Sequence, residues 1–110
     1  MFEGDVTGEV RNNTFVNNLR GVGDRGTNMS IRYNNIEGNA EFGVINYDSG
    51  APTVATCNYW GHATGPKHED NPRKKPRGDR VSNNVEFSPW SVREIRDGEG
   101  SCTGGRGRGL

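Results

Sequence analysis

Apolar and polar positions recur along this chain at a fixed interval. Val10 and Ile31 lie 21 residues apart, as do Phe15 and Ile36, and each pair keeps step with asparagines: Asn13 with Asn34 and Asn18 with Asn39. Both stretches read N-x-[F/I]-x-x-N. A period of this length marks units that cannot bury an apolar side alone and must stack on their neighbours. Leu19-Arg20-Gly21-Val22 and Glu41-Phe42-Gly43-Val44 repeat at 22, which places a one-residue insertion between Asn39 and Val44. The pattern then loosens. Val54 opens a third unit, Asn58-Tyr59-Trp60 replaces Asn34-Asn35-Ile36 at a spacing of 24, and Ala63 stands where the second asparagine would fall.

The period predicts an all-β chain: a right-handed parallel β-helix, a single-stranded solenoid of about three coils with a C-terminal capping segment. Asn suits its corners, because the short amide tolerates a left-handed backbone and bonds its own main chain. Stacked corners would let Asn13 and Asn34, and Asn18 and Asn39, bond rung to rung. Val10, Ile31, Phe15, Ile36 and Trp60 form the expected interior stacks. Residues 1–66 are read as coils, 67–80 as a charged insertion loop, 81–95 as a closing strand and cap, and 96–110 as a disordered Gly-rich tail.

The segment from Asn58 onwards carries a resemblance. It reads Asn58-Tyr59-Trp60-Gly61, reaches Gly65-Pro66, and resumes after a polar insertion as Gly78-Asp79-Arg80-Val81 and on to Val85-Glu86-Phe87-Ser88-Pro89-Trp90. This resembles the closing segment of right-handed parallel β-helix repeat proteins, the pectate-lyase-like solenoids, many of which are surface or secreted proteins. A related set is similar to a periplasmic copper-processing factor. The resemblance implies that Trp60 covers the last coil and that Val81, Val85, Phe87 and Trp90 build a cap. It also implies an extracellular or cell-surface location for the parent protein.

Composition narrows the range of functions. Only 29% of the 110 residues are hydrophobic, which limits the core, and the net charge is zero, so no global field steers nucleic acid or an anionic membrane. No apolar run is long enough for a spanning helix, and Met1 to Asp5 lacks the features of a signal peptide. Charge is uneven, however: residues 1–50 hold seven acids and four bases, whereas Lys67 to Arg80 hold six bases and three acids. The loop has no apolar residue except proline and is expected to be solvated. Its Lys67, Arg73, Lys74, Lys75 and Arg77 form a candidate ligand surface for a polysaccharide or cell-envelope component.

Candidate chemistry is sparse. Asp24 and Asp48 lie 24 residues apart without neighbouring aspartates, so spacing offers neither an acid–base pair nor a calcium cluster. Cys57, His62 and His68, with Glu69 and Asp70, match no tetrahedral metal signature, and both imidazoles are read as solvated. No cofactor or metal is expected. Cys57 and Cys102 are read as two free thiols, the alternative being a bridge that would pin the tail. Asn12-Asn13-Thr14 and Asn28-Met29-Ser30 are formal glycosylation sequons, read as structural. The expected role is a non-catalytic structural or binding module, the alternative being the C-terminal fragment of a carbohydrate-active lyase or hydrolase with catalytic coils upstream. Met1 to Glu9 holds no earlier unit, so an open N-terminal rung predicts either a longer parent or self-association.

Overall fold

A computed structural model of the chain describes residues 8–24, 29–47, 51–96 and 102. They form eight short strands and no helix: β1 (Gly8–Arg11), β2 (Thr14–Val16), β3 (Arg20–Asp24), β4 (Met29–Arg32), β5 (Asn35–Glu37), β6 (Phe42–Asn46), β7 (Thr53–Val54) and β8 (Val85–Glu86). Every pairing is parallel. One sheet has the order β1-β4-β7-β8, and two smaller ones pair β2 with β5 and β3 with β6.

The register follows the hydrophobic repeat. Val10 pairs with Ile31, Phe15 with Ile36 and Val22 with Val44. Ile31, Ile36, Val22 and Val44 are fully buried, while Val10 and Phe15 pack against them from a half-buried position. From β7 onwards the pairings are shorter: Ser30 pairs with Val54, Thr53 and Val54 with Val85 and Glu86, and Asn35 with Tyr59 and Val44 with Val81 as single bridges. The Ser30–Val54 pairing carries Ala55, not Val54, inward beside Ile31, and Ala55 is fully buried.

The solenoid expectation and the family likeness drawn from it are corrected here. Two passes of the chain lie in register over several residues, but the third has no such run. What results is a small globule, 33 × 31 × 25 Å, whose short parallel sheets of two to four strands wrap one core, not a β-helix solenoid. The Gly, Pro and Trp residues that carried the likeness close this unit locally. Trp60 and Trp90 are fully buried, Val81, Val85 and Phe87 complete the core, and Trp90 donates its indole N–H to the Ala63 carbonyl at 2.9 Å. Burying each ring contributes on the order of 2 to 3 kcal/mol.

The corners also differ from expectation. The left-handed residue is the one before each stacked asparagine: Asn12, Tyr33 and Cys57 have φ near 60° (58°, 58° and 62°), preceding Asn13, Asn34 and Asn58. Asn17 (φ 59°) and Gly38 (φ 74°) likewise precede Asn18 and Asn39. The asparagine is thereby free to turn its amide along the stack. Asn12 of the first sequon is exposed at such a corner, and Cys57, a free thiol, occupies another. Asn28 of the second sequon, Asp48 and all of the tail except Arg96 and Cys102 lie outside the described residues.

Candidate functional site: a basic groove beside an asparagine ladder

Two side-chain ladders run across the sheets. In the first, the Asn13 N–H donates to Asn34 Oδ1 at 2.9 Å, and the Asn34 N–H donates to Asn58 Oδ1 at 3.0 Å. Asn34 Nδ2 donates to the Val10 and Arg32 carbonyls, and Asn58 Nδ2 to those of Ile31 and Ala55. In the second, the Asn18 N–H donates to Asn39 Oδ1 at 3.1 Å. Ala63 has no part in its third rung. Asp79 takes that place: Oδ2 accepts from the Asn39 backbone N–H and from Asn39 Nδ2, and Oδ1 accepts from the Gly38 N–H at 2.8 Å.

A carboxylate is what this corner needs. At Asn58 one side of the amide meets N–H donors and the other meets carbonyls, so an acceptor and a donor are both required. At Asp79 both oxygens meet N–H donors, so an amide NH2 would face the Gly38 N–H. Burial pushes the Asp79 carboxyl above its ordinary value, and the Asn39 and Gly38 donors with the Lys67 charge pull it back only in part.

Around this rung opens a groove of about 450 Å³, lined by Gly38, Asn39, Ala40, Glu41, Lys67, Arg77, Gly78, Asp79 and Arg80. Its acids are engaged within the fold: Glu41 pairs with Arg20 at 2.7 Å, and Asp79 takes the three N–H bonds just described. Lys67 sits close enough to Asp79 to favour the charged carboxylate, whereas Arg77 and Arg80 form no ion pair among the described residues. Both arginines are exposed, so the groove offers a cationic rim over a neutralised floor.

The expected ligand loop is split by the fold. Lys67 and Arg77 line the groove, joined by Arg80. Arg73 lies with its guanidinium 6.0 Å from the Trp90 ring centroid, and Lys74 and Lys75 are exposed away from the groove. Nor is the loop purely solvated. Asn71 is buried and donates to the Thr64 and Pro66 carbonyls, while Lys67 pairs with Arg80 as a parallel bridge. His68 corrects the reading of a solvated imidazole: it is only 10% exposed, packs 5.8 Å from Phe87, accepts the Asp70 N–H at Nδ1 and meets Asn83 Oδ1 at 2.8 Å through Nε2. His62 Nδ1 is held by Thr64, and among the described residues no three His, Cys, Asp or Glu side chains converge.

Asp79 gives a testable pH dependence. Its folded value lies above the ordinary 3.8, so between 3.8 and that raised value the folded state holds more proton than the unfolded state. Stability from this group therefore falls as pH rises through that window and is level beyond it. Asp79→Asn should cost about 1 to 3 kcal/mol at neutral pH by leaving the Gly38 N–H without an acceptor. The wild-type advantage over this variant, measured by urea unfolding at successive pH values, should shrink with rising pH across the window.

No family model matches the sequence, and the searches of curated proteins and of solved structures found no match. The likeness to pectate-lyase-like solenoids thus finds no support in the comparisons either.

Proposed function

We propose that this chain is a non-catalytic binding module of a cell-surface or secreted protein, holding an acidic polysaccharide or other anionic cell-envelope polymer along the groove rimmed by Lys67, Arg77 and Arg80. The observation that carries the reading is the imbalance within that groove. Its two carboxylates are satisfied by Arg20 and by the Gly38 and Asn39 N–H groups, while the Arg77 and Arg80 guanidiniums face outward without an ion partner among the described residues. Guanidinium forks match carboxylate geometry bidentately, which favours a uronate-type ligand over a neutral sugar. The floor of the groove is fixed by the second ladder, which holds Asp79 against Gly38 and Asn39.

Calorimetric titration with oligogalacturonate, beside an uncharged oligosaccharide of equal length, tests the reading. Binding should be selective for the acidic oligomer and weaken as salt is raised. Arg77→Ala and Arg80→Ala should each lower affinity about tenfold, the equivalent of roughly 1.4 kcal/mol for one lost charge-assisted contact. Equal binding of the neutral oligomer, absence of binding, or unchanged affinity in both variants would remove the proposal.

A further inference from the structure

We propose that the tip of the 67–80 loop, Arg73 to Lys75, is a cleavage site for proteases that select basic residues, and that the cut chain persists as a folded module of two pieces. Pro72, Arg73, Lys74 and Lys75 are all exposed, and the backbone turns at Lys75 through a φ of 52°. Among the described residues no backbone hydrogen bond holds Lys74 or Lys75, and the Arg73 N–H reaches only the nearby Asn71 Oδ1, at 2.9 Å. An extended peptide is gripped through such free N–H and carbonyl groups. Pro76 then selects the bond. A proline nitrogen on the leaving side bars hydrolysis after Lys75, so the bonds after Arg73 and Lys74 remain. Water adds across one of them, its hydroxyl to the carbonyl carbon and its proton to the departing amine, and the new ends are a carboxylate and an ammonium.

The other described basic residues are held. Arg11, Arg20 and Arg32 lie in paired strands, and Lys67 and Arg80 bridge each other. The bond after Arg77 runs into buried Gly78, whose N–H is fixed to the Gly65 carbonyl at 2.8 Å. Arg93 is tied through its N–H and carbonyl to Ser91 Oγ, and Ile95 beyond it is buried and bonded to Asn35 through both backbone groups. Both feet of the tip are clamped by Thr64: its carbonyl accepts from Asn71 Nδ2 at 3.0 Å and its Oγ1 accepts the Arg77 N–H at 2.8 Å. Past the tip the two pieces interleave. The second donates the Gly78 and Asp79 N–H groups to Gly65 and Trp60, accepts from Gly43, Thr53, Ala55 and Cys57, and places Val81, Val85, Phe87 and Trp90 in the core. A cut at the tip removes none of these contacts.

Limited digestion of the full chain with trypsin, read by fragment mass, tests this. The first cut among residues 8–95 should fall after Arg73 or Lys74. The two pieces should elute together from size exclusion where the uncut chain does, keep its circular dichroism spectrum, and part only in denaturant. Lys74→Pro leaves no cleavable bond at the tip while keeping Arg73 beside Trp90, and the pair Arg73→Gln, Lys74→Gln removes both basic residues. Each should abolish the cut without changing the spectrum. A first cut elsewhere in residues 8–95, a wild-type tip that stays intact, or pieces that separate without denaturant would each overturn the proposal. Should the variants misfold, the position of the wild-type cut and the co-elution of its pieces decide alone.

Discussion

Asn58→Ala is expected to destabilise the fold by about 3 to 5 kcal/mol, against a total of roughly 5 to 15 kcal/mol for a domain of ordinary stability. Asn58 is fully buried and satisfies groups in both directions. Its Oδ1 accepts from the Asn34 backbone at 3.0 Å and from Asn34 Nδ2 at 3.1 Å, and its Nδ2 donates to the Ile31 carbonyl at 2.7 Å and that of Ala55 at 2.8 Å. Alanine removes these four bonds, with a longer one of 3.3 Å from Nδ2 to the Thr56 carbonyl, and leaves the Asn34 N–H without an acceptor in a dry interior. Each orphaned buried group costs about 1 to 3 kcal/mol, and the losses add only in part because they share one network. Asn58→Asp should not rescue it, since a carboxylate oxygen would then face two carbonyls. Asn13→Ala, at the exposed end of the same ladder, should cost under about 1 kcal/mol. Urea midpoints for the three variants check the order: Asn13→Ala mildest, the two Asn58 variants far lower.

The contrast between Asn58 and Asp79 also shows what the sequence could convey. The 21-residue repeat was legible because the first two passes pair residue for residue, Val10 with Ile31 and Phe15 with Ile36. All-β character and parallel pairing follow from that alone. The third pass was not legible at the second corner, because its occupant arrives 40 residues beyond Asn39, after an insertion that hides any period. An acid standing in for an absent Asn at Ala63 was the available signal. The corner backbone was obscured for a different reason: Tyr33 and Cys57 hold the left-handed conformation with no compositional mark, since neighbouring rungs impose it. The loop misled because Lys67 to Arg77 is polar throughout, yet its carbonyls and amides are satisfied inward through Asn71 and His68. The family likeness failed on similar grounds. Gly, Pro and Trp at a strand end answer needs shared by any small parallel-sheet unit: a tight approach, a stop and a cover.

That tight approach sets the second large effect. Gly78→Ala is expected to cost about 3 kcal/mol or more, and to weaken the groove along with the fold. A Cβ at Gly78 would lie 2.7 Å from both Cβ and the carbonyl oxygen of Trp60, and closer still to the Gly65 carbonyl oxygen. Two of these atoms are backbone, and Trp60 is fully buried, so none can swing aside as the end of a flexible side chain could. The backbone at Gly78 would itself have to lift. Lifting it stretches the Gly78 N–H bond to Gly65 and the Asp79 N–H bond to Trp60, both 2.8 Å, and draws Asp79 away from Gly38 and Asn39. Gly38→Ala is the informative control. Its φ of 74° strains any side chain, but its Cβ would meet only Asn17, at no less than 3.3 Å, so about 1 kcal/mol is expected there. Thermal unfolding should therefore rank wild type above Gly38→Ala and both well above Gly78→Ala. Because Arg80 follows closely on the displaced backbone, Gly78→Ala should also bind oligogalacturonate more weakly at temperatures where it remains folded.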